Sequence, residues 1–355
     1  MPTDPRLAED LDGVVARTGD VWQALRGQRL FITGGTGFFG CWLLESLVHA
    51  RERLGLDVSA TVLTRSAEAF GRKASHLASH PALTLIEGDV RHFAFPSGHF
   101  SHVIHAATDS ATLAHPAELF DTIVLGTRRV LDFARQSGAR RLLFTSSGAV
   151  YGTQPPDVVR LSEEYSPGPD AAAAADSYAR GKRAAERLCA SAASSSGVEA
   201  VIARGFAFVG PYLPLDAHFA IGNFIRDRLR GDAIRVAGDG TARRSYLYAA
   251  DLAVWLWALL IRGASGRAYN VGSPHAVTIA ELAALVADAG ETTLPVLVAG
   301  SPAAGLRRHY VPDVSRAVME LGVRQEVGLG DAIQRTLDWH RDRRAPSVGG
   351  EDIER

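Results

Sequence analysis

The stretch RLFITGGTGFFG, Arg29 to Gly40, decides the fold. RLFIT (29–33) reads as a short buried strand. Thr33-Gly34-Gly35-Thr36-Gly37-Phe38-Phe39-Gly40 then leads straight into a helical pattern near 39–54. Glycines let the backbone turn tightly and approach a pyrophosphate, whose charge meets the free N–H groups at the helix N-terminus. A glycine turn can also serve packing alone. The strand before it, the helix after it and a second strand at the expected distance make dinucleotide binding the expectation here.

Working outward, further apolar runs follow: SATVLT (59–64), ALTLIEG (82–88), HVIHAA (102–107), RLLFTSS (141–147) and EAVIARG (199–205). Helical patterns near 66–79, 116–137 and 177–194 separate them. Strict alternation predicts an α/β fold, a doubly wound parallel sheet covered by helices on both faces. After Phe206 the alternation loosens. A smaller C-terminal substrate domain is expected from 206–245 and 273–342, with 28–205 and 246–272 forming the dinucleotide-binding domain. Residues 1–27 carry a helical pattern (6–26) expected to pack on the main domain. Five alanines at 171–175 form a low-complexity insert, and 343–355 is a polar tail.

Composition narrows the function. The 355 residues are 46% apolar and 22% charged, with a formal net charge of −1 and twelve histidines. Nothing suggests a nucleic-acid surface or a membrane surface. Two cysteines, Cys41 and Cys189, fit a reducing compartment. The acidic N-terminus does not read as a signal peptide, and the longest apolar run, AVWLWALLI (253–261), is too short to cross a bilayer. A cytoplasmic protein is expected. No second His or Cys stands at ligand spacing, so no metal is expected. His105 reads as a hydrogen-bonded structural histidine, Trp255 and Trp257 as core, and Asp251 as the cap of the helix that begins there.

The end of the second strand reports on the dinucleotide. An acid there would bind a ribose diol, whereas an arginine can neutralise a 2′-phosphate. This chain has Thr64-Arg65-Ser66. Arg65 tilts the expectation towards NADP over NAD, although it could also stack on the adenine or face solvent. Asp89-Val90, after the third strand, could meet the adenine ring or form a turn. Further on, Tyr178-Ala179-Arg180-Gly181-Lys182 sets a phenol and an ammonium four residues apart on one helix face. A nearby cation lowers a tyrosine pKa and can bring it into the range of a general acid/base.

With these pieces the chain resembles the extended short-chain dehydrogenase/reductases, the NAD-dependent epimerase/dehydratase family acting on nucleotide sugars. The resemblance rests on TGGTGFFG, SSGAVYG (146–152), YARGK (178–182), RGFAFVGP (204–211), GDGTARRSYLYAADLA (238–253) and YNVGS (269–273). It implies a Rossmann domain that holds NAD or NADP through Gly34, Thr36, Gly37, Phe38, Phe39, Gly40, Arg65, Asp89, Val90, Ala106, Ala107, Tyr178 and Lys182. It implies a catalytic set of Ser147, which bonds the reacting sugar oxygen, Tyr178 as acid/base, and Lys182, which orients the nicotinamide ribose and lowers the tyrosine pKa. Thr108, Ser147, Asn223, Phe224 and Arg244 are the implied contacts to a nucleotide sugar. A homodimer joined through the helices near 116–137 and 177–194 is implied as well.

Within the family, sugar-nucleotide 4,6-dehydratases carry Asp and Glu after the serine or threonine, to eliminate water. Here those positions are Gly148 and Ala149, which have no titratable group. The expected activity is therefore a nucleotide-sugar 4-epimerase. The alternative is an NADPH-dependent 4-keto-6-deoxysugar nucleotide reductase, and a 4,6-dehydratase is disfavoured. A non-catalytic dinucleotide sensor would have no need of Ser147, Tyr178 and Lys182 together. Three positions depart from common members: Ile123 and Ala207 stand where asparagines are usual, and an arginine near 303 is missing, although Arg307 and Arg308 lie close by.

Overall fold

The computed structural model describes residues 4–108, 116–169, 176–195, 197–217, 219–300 and 309–343. The five-alanine insert, Arg307, Arg308 and the tail from 344 lie outside the described residues.

Seven parallel strands form the central sheet: β1 (Arg29–Thr33), β2 (Ser59–Thr64), β3 (Leu83–Glu87), β4 (His102–His105), β5 (Arg141–Ser147), β6 (Glu199–Gly205) and β7 (Ala268–Val271). Their order is β7-β6-β5-β4-β1-β2-β3. The order reverses between β1 and β4, and ligands of open α/β sheets bind outside the carboxyl ends of the strands at that point. The expected doubly wound sheet is the observed one.

Strand alternation divides the core. Leu30 and Ile32 of β1 face the helices Pro5–Arg17, Phe38–Leu54 and Ala249–Arg262. Phe31 points the opposite way, towards Pro116–Gln136, where its ring meets Phe133 at 4.4 Å. Such two-sided burial explains why these strands read as continuous apolar runs. Gly181 on the helix Ser177–Ser195 lets that helix approach Ile123 closely: a Cβ at Gly181 would lie 3.1 Å from Ile123 Cδ1. Ile123 is thus a core residue between two helices.

Two expected helices are broken. The leading pattern is Pro5–Arg17 followed by Gly19–Ala24, parted at Thr18, whose buried hydroxyl bonds back to the Val14 carbonyl at 2.6 Å. The pattern at 66–79 divides into Ala67–Lys73 and Ser75–Ala78.

The helix Ala249–Arg262 is buried from Ala249 through Leu260, because the sheet lies on one side and the N-terminal helices on the other. Trp255 and Trp257 are core residues, as expected. Asp251 corrects its expectation. The helix starts from Tyr248 with no side-chain cap, and the Asp251 carboxylate instead takes Arg17 at 2.6 Å and the backbone N–H groups of Glu326 and Val327 at 3.1 and 3.0 Å. It ties the N-terminal helix to the C-terminal segment. Asp251→Ala should cost about 3 kcal/mol of stability in urea unfolding, because it orphans those donors. A true helix cap would lose only about 1 kcal/mol.

Candidate active site

The glycine loop sorts its own glycines. Gly34 has φ +72°, and a Cβ there would lie 2.4 Å from the Ala106 carbonyl. A Cβ on Gly40 would lie 2.3 Å from the Gly34 oxygen. Both are required by packing between the loop, the end of β4 and the first helix. Gly37 differs: its nearest neighbour would be 3.4 Å away, an ordinary contact, and it is exposed at the N-terminus of Phe38–Leu54. Among the described residues nothing requires a glycine there, so the requirement would come from close approach by a ligand. An anion at a helix N-terminus fits that requirement.

Beneath the loop, His105 is buried and fully bonded. Thr127 Oγ1 donates to the Ile123 carbonyl, so it accepts from His105 Nε2 at 3.0 Å. His105 Nδ1 is then the acceptor for the Thr33 hydroxyl at 2.7 Å. Thr33 Oγ1 in turn accepts the Ala107 N–H. Burial pushes the His105 pKa down to about 3, so the ring is neutral. It joins β1, β4 and the helix Pro116–Gln136 under Ala106 and Ala107.

At the far end of the sheet, Arg65 is exposed one residue past β2, beside Ser66, which caps the next helix. Asp89 grips Arg91 through both carboxylate oxygens, at 2.9 and 2.6 Å, which holds its pKa down to about 2. Val90 is buried against Gly126.

The serine loop, the tyrosine and the lysine come together as the spacing suggested. Ser147 ends β5, and its hydroxyl accepts the Ala149 N–H at 3.2 Å and shares a hydrogen bond with Tyr178. Lys182, one turn along the same helix as Tyr178, donates to Thr108 Oγ1 and to the Thr145 carbonyl, both at 2.7 Å. Burial lowers the Lys182 pKa to about 7. Tyr178 moves upward from 10, because burial outweighs the bond from Ser147. Lys182 lies over its ring, 5.9 Å from the centroid. In this geometry the lysine does not by itself bring the phenol into the range of a base.

Gly148 is more than a missing acid. A Cβ there would sit 2.7 Å from the Tyr310 hydroxyl and 2.8 Å from the Phe206 ring, so no side chain fits without movement. Arg244 lies on the strand Arg243–Ser245, paired in register with Tyr310, which brings it near this site. Asn223 is half-buried on Ala220–Arg230, its side-chain oxygen accepting from Arg226 at 3.0 Å. The Phe224 side chain is packed in the core, which leaves its backbone to a ligand.

The sequence motifs did not reveal the buried network behind Ser147. Glu186 accepts from Ser146 at 2.5 Å and from Arg204 at 3.0 and 2.7 Å. Arg204 donates to the Tyr151 hydroxyl at 2.9 Å, and Tyr151 donates to Asn270 at 2.6 Å. Burial raises the Tyr151 pKa, so it stays a donor. The available signal was a charged residue, Arg204, inside an otherwise apolar strand.

With this geometry in place, the comparisons with known proteins can be read. Residues 30–272 match the model of the NAD dependent epimerase/dehydratase family. The chain belongs to that family. It is accordingly an enzyme that binds NAD(H), on an extended short-chain dehydrogenase/reductase fold. A UDP-glucuronic acid decarboxylase 1 of Arabidopsis thaliana is 31% identical over 92% of this chain and 73% of its own length. A crystal structure of a UDP-galactose 4-epimerase is 26% identical, with a TM-score of 0.71 over 89% of this chain and 99% of that one. A dTDP-glucose 4,6-dehydratase of Streptomyces venezuelae, solved with NAD bound, shares the fold at 23% identity and a TM-score of 0.75, covering 89% and 98%. Among the described residues no helix is long and apolar enough to cross a membrane, and no group of three His, Cys, Asp or Glu could hold a metal.

Two expectations follow. Gly37→Ala should leave the melting temperature unchanged yet weaken NADH binding about tenfold or more in a fluorescence titration, whereas Gly40→Ala should cost about 1–3 kcal/mol of stability. Equal effects would contradict the sorting of the two glycines. The second concerns Lys182. Its folded pKa is about 7 against an ordinary 10.5, so between those values the unfolded chain holds a proton that the folded one has released. Stability from this group therefore rises with pH across that window and is lost as pH falls towards 7. Relative to Lys182→Met, the unliganded protein should gain about 1 kcal/mol per pH unit between pH 7 and 9 in urea unfolding.

Proposed function

We propose that this enzyme is a nucleotide-sugar 4-epimerase, working through oxidation and re-reduction at C4. The observation that carries this reading is the packing beside Ser147. Position 148 has no side chain and no space for one, because Phe206 and Tyr310 fill it. Ala149 likewise has no titratable group. Ser147, Tyr178 and Lys182 can support oxidation of a carbinol, but positions 148 and 149 offer no carboxyl pair to eliminate water.

NAD, when bound, supplies the hydride acceptor together with a positive charge that opposes the upward shift of Tyr178. The cradle formed by Gly34, Gly37 and Gly40 would hold its pyrophosphate, and Lys182 its ribose. Ser147 bonds the C4 oxygen and sets the sugar hydroxyl against Tyr178. Tyr178 takes the hydroxyl proton as the ketone forms and returns it when the other face is reduced. Arg244 and Asn223 are assigned to the nucleotide portion. Arg65, exposed at the end of β2, tilts the dinucleotide towards NADP and keeps open the alternative of a 4-keto-6-deoxysugar nucleotide reductase.

A second reading draws on the decarboxylase relatives at 30–31% identity. Oxidation of a uronic acid at C4 gives a β-keto acid, which can lose carbon dioxide without a catalytic base. The same redox-only site could perform that reaction, and carbon dioxide released from UDP-glucuronic acid would establish it.

A homodimer fits the surface. Val124, Leu125 and Leu131 on Pro116–Gln136 and Ala184 and Leu188 on Ser177–Ser195 are partly or fully exposed, with Leu125 at 47%. Pairing the two helices with those of a second copy would bury them. Leu125→Arg should convert a dimer to a monomer in light scattering.

Tyr178→Phe should lower turnover about 10²–10⁴-fold while NADH affinity stays within a few-fold. Turnover at the wild-type rate would remove Tyr178 from the acid/base role. Dinucleotide released on denaturing the fresh enzyme separates the epimerase from the reductase. Near-stoichiometric oxidised dinucleotide, NAD or NADP, is expected for the epimerase, and an empty site that takes up NADPH would favour the reductase.

A further inference from the structure

We infer that Tyr310 is a positioning residue of the reaction: seated with Phe206 in the notch left by Gly148, it fixes the strand that carries Arg244 against the serine loop. The inference rests on the proposed reaction, and it concerns how the substrate-binding layer is registered on the residues that perform the chemistry.

Four observations carry it. The first is steric, since a Cβ on Gly148 would approach the Tyr310 hydroxyl to 2.7 Å and the Phe206 ring to 2.8 and 2.9 Å. Second, the two rings pack on each other at 4.6 Å and 34°. Gly272 makes the matching clearance on the far side: a Cβ there would meet Pro312 at 2.9 Å and Phe206 at 3.2 Å. Two glycines therefore admit one wedge of Phe206, Tyr310 and Pro312.

Third, the wedge is held at its base. Val311 N–H donates to Gln154 at 3.1 Å, and Leu161 N–H donates to the Val311 carbonyl at 2.9 Å. Asn270 donates to the Asp313 carbonyl at 2.8 Å, which links the segment to the buried network behind Ser147. Fourth, Tyr310 pairs in register with Arg244 in the parallel ladder between His309–Tyr310 and Arg243–Ser245. A displacement of Tyr310 at Gly148 is therefore transmitted to Arg244 through one strand pair. The phenol also acts on Tyr178, adding to the upward shift of its pKa.

This geometry gives the glycine a second role. An acid at 148 is absent, and the vacant volume is used as a seat, so filling it should misplace the substrate without touching the dinucleotide. Gly148→Ala should raise KM for the nucleotide sugar tenfold or more, with kcat changed much less and NADH affinity unchanged. Adding Tyr310→Phe removes the atom at 2.7 Å and should recover a substantial part of that loss. A wild-type KM for Gly148→Ala would overturn the inference, as would effects of the two substitutions that simply multiply. Should Gly148→Ala fail to fold, Tyr310→Ala introduces no clash. It should raise KM with NADH affinity intact, and a wild-type KM there would overturn the inference equally. UDP-glucose and dTDP-glucose serve as probes, alongside urea unfolding of the wild type, Gly148→Ala, Tyr310→Phe and the double variant. If the wild type turned over neither sugar, the proposed function would fail. Non-additive unfolding of the 148/310 pair would still support the seat, and additive unfolding would remove it.

Discussion

The Glu186 carboxylate is the interaction on which the reaction site depends. It is buried, and a carboxylate in that position must have its lone pairs satisfied. Ser146 and Arg204 satisfy them, and in doing so they join three elements. Ser146 ends β5 immediately before Ser147. Arg204 sits on β6 and holds Tyr151, at the far end of the serine loop, which in turn bonds Asn270 on β7. Glu186 itself stands one turn beyond Lys182 on the helix that carries Tyr178. One ion pair thus sets the distance between the serine loop and the Tyr/Lys helix.

In the proposed reaction this is a redox site whose acid/base work falls to the Tyr178 phenol. The lysine is bonded to Thr108 and a carbonyl, the histidine beneath the glycine loop is neutral and fully bonded, and the position after the serine is closed by aromatic rings. Elimination of water would need a carboxyl pair that the described surroundings of Ser147 do not offer. Family membership alone would allow elimination, decarboxylation or epimerisation, and the packing at Gly148 argues against the first of these.

Much of this was legible in the sequence, because it depends on local pattern. The glycine turn between a strand and a helix, the alternation of buried runs with helical periods, and the four-residue step from Tyr178 to Lys182 all lie within short windows. The unread features bring distant residues together. Asp251 looked like a cap because it stands near a helix start, but its partners are Arg17 and residues 326–327. Phe224 follows Asn223 on a helix whose buried face only the packed structure reveals. Nothing in the sequence pairs Gly148 with Tyr310, which lies far along the chain on a two-residue strand. The leading helix is interrupted at Thr18, whose backbone leaves the helical range at φ −128° and ψ 32° just before Gly19, an outcome that periodicity does not register.

In the proposed reaction, Ser147 and Tyr178 support a closed redox cycle with no carbon–proton exchange. Running the reaction on a nucleotide sugar in heavy water and locating deuterium in the product by NMR tests it most directly. The account predicts a C4 epimer whose carbons all retain protium. Deuterium at C5, left by elimination or by loss of carbon dioxide and reprotonation, would contradict it.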